Sequence, residues 1–281
     1  IENKKGICML NFNDPGLFRK LDSLTKYPSI PTFHALLDGK TLKEEIQVDF
    51  SGCGTIYATE KVDGTNMRIV SIPQCGLFLG TRDKLICKFD IPNGEYVGEP
   101  ACPNDPIHEL KKLICRSQRT RIVFECMPHM QPDAIKVFYF EMFGGRIGPH
   151  KHYTSTNEID WVMLDVCEIH DYAKLLEMPV ERISSWREHS GQKYLALSSF
   201  WTLAEQLDVN VVHNSVFIFE ASQVSVHFAW NWLTNITPKR SRFAMDDAAS
   251  GVVEGLVIRT YDRSKIAKLR FEDYERTLGL R

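Results

Sequence analysis

The apolar positions along this chain change period several times, and those changes mark out its elements. From Thr55 onward, short runs alternate apolar and polar residues with the two-residue period of half-buried strands. Thr55–Lys61, Asn66–Ile72 and Gly76–Gly80 are predicted as successive strands, divided by the turn signals Asp63-Gly64 and Pro73–Cys75. Asp105–Arg116 is predicted as a helix, with Ile107, Leu110, Leu113 and Ile114 on one apolar stripe. Thr120–Cys126, Lys136–Glu141 and Asp160–Ile169 read as strands, the second ended by Gly144-Gly145. A helix is expected from Ser198 or Ser199 to Leu207, with Ser199 as N-cap and Trp201, Leu203, Ala204 and Leu207 on its buried side. Phe228–Leu233 belongs to another helix, and Val252–Thr260 and Ile266–Phe271 are the last two strands. Upstream, residues 1–26 form a peripheral lead-in with a short helix near Leu17–Leu24. Tyr27-Pro-Ser-Ile-Pro31 is extended, because proline disfavours helix in the residue before it. Many strands with interspersed helices point to an α+β fold, and the absence of a clear linker points to one domain over residues 1–281.

Composition narrows the class. A chain of 281 residues with 43% hydrophobic and 25% charged residues can bury a core and is not broadly disordered. Its formal net charge of −2 excludes binding of nucleic acid by bulk charge, so any such contact must come from local patches. Two basic runs are candidates: Lys111-Lys112 with Arg116, Arg119 and Arg121, and Pro238-Lys239-Arg240-Ser241-Arg242; each also reads as a solvated face. The eight cysteines contain no C-x-x-C pair, which argues against a zinc site and for reduced, mostly buried thiols in an intracellular protein. No apolar run is long enough to span a membrane, and the histidines, including His150 and His152 in a polar loop, show no metal-ligand spacing.

The chemistry gathers in a few segments. Glu60-Lys61-Val62-Asp63-Gly64-Thr65-Asn66 places a lysine beside Asp-Gly, a combination that a surface hairpin would also carry. Phe140-Glu141-Met142-Phe143-Gly144 puts a carboxylate at the end of an apolar strand, and Val253-Glu254-Gly255-Leu256-Val257-Ile258 puts another inside one. Charged residues are seldom buried without partners. Lys268 and Arg270 stand two residues apart, on one face of a strand whose other face carries Leu269 toward a core. Two inward carboxylates, two inward cations and a lysine at a turn make a candidate polyphosphate and metal site.

This ordered set, E-K-x-D-G-T-N, F-E-x-F-G, E-G-L-V-I and K-x-[KR], resembles the nucleotidyltransferase motifs of ATP-dependent RNA ligases, from about Tyr27 to Arg276. Thr65-Asn66 is closer to that group than to capping enzymes. The resemblance implies two antiparallel sheets enclosing a nucleotide cleft, with helices outside. It also implies joining of RNA 5′-phosphate and 3′-hydroxyl ends, with ATP and Mg²⁺ or Mn²⁺, through lysyl-AMP and adenylylated RNA. By the same resemblance Lys61 is the nucleophile, Lys268 and Glu254 are catalytic, and Asp63, Glu141 and Glu254 position a hydrated metal ion. Glu60, Asn66, Arg82, Glu141, Leu164, Lys268 and Arg270 are the residues expected to meet the nucleotide. The family usually has lysine where Arg270 stands. It often has an aromatic platform for the base where Leu164 stands, so the base packs on Leu164 itself or on another ring, Trp161 or Phe140. No OB-fold module is expected after the last motif, and substrate capture would need a protein partner or a further domain. A capping-type guanylyltransferase and a catalytically silent nucleotide- or RNA-binding module are the alternative readings.

Overall fold

The computed structural model describes residues 14–90, 95–97, 106–130, 134–212, 214–218 and 224–280. The chain runs α1 (Pro15–Thr25), β1 (His34–Leu37), β2 (Thr41–Ile46), β3 (Thr55–Lys61), β4 (Thr65–Ile72), β5 (Gly76–Thr81), β6 (Leu85–Asp90) and β7 (Glu95–Val97). Next come α2 (Pro106–Ile114), α3 (Gln118–Met130), β8 (Ala134–Gly144), a 3₁₀ turn at His150–His152, β9 (Ile159–His170), α4 (Tyr172–Glu177), α5 (Val180–Glu188) and β10 (Lys193–Tyr194). It finishes with α6 (Leu197–Leu207), β11 (Asn214–Ile218), α7 (Val226–Ile236), β12 (Gly255–Thr260), β13 (Ile266–Arg270) and α8 (Phe271–Leu278).

These elements make an α+β fold of two main antiparallel sheets. One has the order β10-β9-β8-β4-β5-β6-β7, the other β11-β3-β12-β13, and β1-β2 is a separate ribbon. The larger sheet buries Met67, Ile69, Phe138, Phe140 and Met142 against α2, α3 and α6. Its opposite face buries Val70, Ile135, Val137 and Tyr139 under α1, α4 and α5. The smaller sheet turns Ile56, Ala58, Leu256, Ile258, Ala267 and Leu269 to its own core, covered by α7 and α8. By the two-residue period, Thr59, Lys61, Val257 and Lys268 must face the other way, and they line a cleft shared with the larger sheet.

The Asp63-Gly64 signal does not close a hairpin. β3 and β4 belong to different sheets, so residues 62–64 carry the chain across from one to the other. Val62 is buried with Phe143, Tyr153, Val162 and Val212, which fixes the crossing. Gly64 is needed there because β8 comes close: a Cβ would penetrate the backbone carbonyl of Met142.

Other expectations need correction. Thr120–Cys126 is helical, within α3. Thr120, Phe124 and Met127 are buried at i, i+4 and i+7, and this helical stripe overrides the strand preference of Ile122 and Val123. α6 starts at Leu197 with Ala196 as its N-cap, so Ser199 lies inside the first turn. The backbone N–H of Leu197 is satisfied instead by the carbonyl of Tyr261 at 3.1 Å. Trp201 is exposed, and Phe200 fills the buried place expected of it. The last two strands are trimmed to β12 and β13, with Glu254 just ahead of β12, and α8 follows. The helix expected near Leu17–Leu24 is α1. Leu21 and Leu24 are fully buried, while Asp22 pairs with buried Arg68 and accepts from the Leu85 backbone N–H at 2.6 Å. Of the six described cysteines only Cys87 and Cys167 are buried, and Cys115 and Cys126 are exposed. Cys8 and Cys102, together with residues 1–13 of the lead-in and Asp105, lie outside the described residues. Among the described residues, no helix is long and apolar enough to cross a membrane.

Candidate active site

The cleft between the sheets measures about 420 Å³, within the range of small-molecule sites. Strand register explains why distant motifs meet in it. In the smaller sheet Gly255 pairs with both Lys61 and Arg270, and Val257 pairs with both Thr59 and Lys268. In the larger sheet Asn66 pairs with Glu141. A register shift between β8 and β9 falls after the Tyr139–Asp165 pair and leaves Leu164 unpaired as a bulge. Lys61, Asn66, Glu141, Leu164, Glu254, Lys268 and Arg270 all line the cleft, along with Glu60 and Arg82.

Lys61 Nζ donates to Glu254 Oε2 at 2.5 Å. Burial pushes the Glu254 carboxyl up, and Lys61 opposes that rise. Burial pushes Glu141 up to about 7, against the pull of Lys61 and Asn66. Lys268 moves down because it is buried and because Arg270 and Lys61 repel its charge. Arg270 is held by Asp273 through two bonds of 2.8 and 2.7 Å, so its guanidinium fork is largely engaged before any ligand arrives. Arg82 reaches across to Ser29 Oγ at 3.0 Å, on the Tyr27–Pro31 segment that rims the cleft. That segment is secured to β13, with the Lys268 N–H donating to the Pro31 carbonyl at 2.9 Å. Asn66 Nδ2 donates to the Phe140 carbonyl at 3.2 Å, and its Oδ1 is buried without a partner.

Two expected residues behave differently. Glu60 is buried with both oxygens occupied, accepting from Ser241 Oγ and from the Arg242 backbone N–H at 3.0 Å. Its carboxylate braces the 241–242 loop. Asp63 does not line the cleft, and its backbone N–H donates to the Tyr153 hydroxyl at 2.6 Å. Among the described residues, no three His, Cys, Asp or Glu side chains converge as a direct ligand set. Glu141 and Glu254 do face the same space, with Lys61 as the cation beside them. They suit a hydrated divalent ion held through its water shell better than a chelated one.

The wall of the cleft beside Leu164 is built from charges that lie outside the motifs. Asp165 is fully buried and accepts from Arg259 Nη1 at 2.7 Å, Arg263 Nε at 2.6 Å and the Tyr27 hydroxyl at 2.7 Å. Arg263 lies 3.5 Å over the Tyr194 ring. Arg259 borders the cleft, and its Nε and Nη2 are buried without a hydrogen-bond partner among the described residues. The available signal was a charged residue inside each of two apolar strands, which requires a buried partner.

Motifs from four stretches of chain therefore converge on one cleft, and the profile of the RNA ligase family matches residues 54–270, which contain all of them. The chain belongs to the RNA ligase family. Solved structures carry the same fold at low identity. Naegleria gruberi RNA ligase with PPi matches with a TM-score of 0.52 and 14% identity, over 92% of this chain and 63% of that one. A variant of the same ligase with AMP and Mn matches with a TM-score of 0.52 and 13% identity, over 92% and 64%. This member of the RNA ligase family thus spans less than two thirds of the ligase it matches. Comparison with curated proteins gives no match.

Proposed function

We propose that this chain catalyses ATP-dependent joining of RNA 5′-phosphate and 3′-hydroxyl ends, with Lys61 carrying AMP. The observation that carries the proposal is the convergence of Lys61, Glu254 and Lys268 on one cleft, with the lysine hydrogen-bonded to a carboxylate. Lys61 must release a proton before its nitrogen can attack, and Glu254 Oε2 is the acceptor within reach. The amine then attacks the α-phosphorus of ATP, a P–N bond forms, and pyrophosphate leaves. Lys268 supplies positive charge to the phosphates as negative charge builds on them. An oxygen of the RNA 5′-phosphate next displaces Lys61 from AMP. In the last step the 3′-hydroxyl attacks that phosphate and AMP leaves.

A divalent ion beside Glu141 and Glu254 would screen the phosphate charge during these displacements. The family, and the ATP, AMP and Mn of the Naegleria structures, favour ATP with Mg²⁺ or Mn²⁺ over a capping reaction with GTP. The roles of Asn66, Arg82, Leu164 and Arg270 toward the nucleotide rest on their places around the cleft. The test is incubation with α-labelled ATP and Mg²⁺ followed by denaturing electrophoresis. Label should stay on the wild type and be absent from Lys61→Ala. Label on Lys61→Ala, or labelling by GTP and not ATP, would overturn the reading.

A further inference from the structure

Two loops beside the nucleophile form a surface that the steps above leave unused. Residues 145–157 and 238–251 are joined backbone to backbone, with Met245 N–H donating to Tyr153 O at 2.7 Å, Ser250 N–H to Lys151 O at 2.8 Å and Gly251 N–H to His152 O at 3.0 Å. Asp246 fastens them further. One of its oxygens accepts from the Thr154 hydroxyl at 2.9 Å and the Ser155 N–H at 2.8 Å, and the other from Ala248 and Ala249 N–H groups. Phe143 packs on Phe243 beneath them.

Between the loops lies an open concavity of about 770 Å³, and among the described residues no carboxylate lines it. Arg146, His150 and Lys151 line it together with the hydroxyl residues Ser155 and Ser250, all hydrogen-bond donors. Five exposed cations stand on the two loops, Arg146, Lys151, Lys239, Arg240 and Arg242, against two carboxylates, Asp246 and Asp247. Asp246 is the one consumed as a staple. The chain as a whole has a formal charge of −2, so this positive surface is local. Chemistry of this kind fits a chain of phosphates: spaced cations and hydroxyl donors, with the cations of the two loops outnumbering their carboxylates.

The platform also touches the nucleophile motif on both sides of Lys61. Glu60 holds Ser241 and Arg242, and the Tyr153 hydroxyl holds the Asp63 N–H. We propose that this concavity docks the phosphodiester backbone of the RNA strand whose end enters the cleft. Glu60 and Tyr153 then fix that strand in register with Lys61. The proposal rests on the RNA ligase reading, and the two are tested separately.

The full chain carrying Arg146→Gln and Lys151→Gln is compared with the wild type in two assays, lysyl-AMP formation and binding of a fluorescent 5′-phosphorylated 20-nucleotide RNA across a salt series. Lysyl-AMP formation should stay within about twofold of wild type. RNA affinity should fall roughly tenfold at low salt, and the log–log salt slope should shrink by about 1.4, the value for two lost single-strand phosphate contacts. Arg119→Gln with Arg121→Gln, exposed on α3, should change neither quantity. Unchanged RNA affinity and slope in the loop variant would overturn the proposal, as would an equal loss in the α3 variant. So would wild type that binds an acidic polypeptide here but no RNA. A wild type that takes no label from ATP would overturn the ligase reading instead.

Discussion

Asp165→Asn tests the wall of the cleft directly. The carboxylate is the shared partner of Arg259, Arg263 and Tyr27, at 2.7, 2.6 and 2.7 Å. The side chains of Asp165, Arg259 and Arg263 are 2%, 5% and 6% exposed, so water cannot replace a lost charge. An amide of the same shape still accepts hydrogen bonds but leaves two buried guanidiniums without a counter-charge, one of which already has unpartnered N–H groups. Removing one member of a buried ion pair costs about 3–5 kcal/mol. The two pairs share one carboxylate and do not add independently, so that range is kept for both. At roughly 2–4 °C per kcal/mol for a chain of this size, Tm should drop by roughly 6–20 °C. Burial raises the Asp165 carboxyl, but Arg259 and Arg263 outweigh it and hold it below the usual carboxylate range. A depressed folded-state value gives stability that is present above the unfolded value and lost as pH falls through the folded one. The gap between wild type and variant should therefore hold from pH 5 to 8 and close below about pH 4. Thermal unfolding followed by circular dichroism across that range is the assay. A drop of less than about 3 °C at pH 7 would refute the view that this carboxylate compensates both arginines.

Glu141 should produce the opposite pH behaviour. Its carboxyl is pushed by burial from 4.5 to about 7, so its contribution to stability is full below the unfolded value and is lost as pH rises through 7. Glu141→Gln should flatten the stability profile between pH 5 and 8, and a profile identical to wild type would remove the argument. Gly64→Ala should cut lysyl-AMP formation at least tenfold, because the new methyl group forces the Met142 carbonyl and Glu141 away from the crossing. Full activity with unchanged Glu141 geometry would contradict the close packing claimed there.

Local patterns carried much of the fold. The α2 stripe of Ile107, Leu110, Leu113 and Ile114 is buried as its period implies, and β3, β4, β8 and β9 fall close to their expected limits. Lys61, Glu141, Glu254 and Lys268, grouped in advance by the order of their motifs, do line one cleft. Failures came where long-range contacts decided the outcome. Ile122 and Val123 favour a strand, but burial of Thr120, Phe124 and Met127 on one stripe holds the segment in a helix and leaves Ile122 exposed. The edge strand β11 pairs with β3, far away in sequence, and the β1-β2 ribbon packs on α7 and α8 near the end of the chain. Glu60 looked like a nucleotide contact because it sits beside Lys61. Nothing local shows that Ser241, 181 positions away, already occupies it.

The crossing between the sheets gives the Lys61–Gly64 spacing a mechanical meaning. Lys61 is the last residue of β3 in one sheet and Thr65 the first of β4 in the other, so three residues set how the two walls of the cleft are aligned. Val62 is pinned from beneath and Gly64 is pressed against β8, which leaves the link no slack. One added residue would displace the amine by about 3.3 Å relative to Glu141, a full strand step. The interval is a ruler: it sets the distance between Lys61 and the wall of the larger sheet, with glycine required where it meets β8.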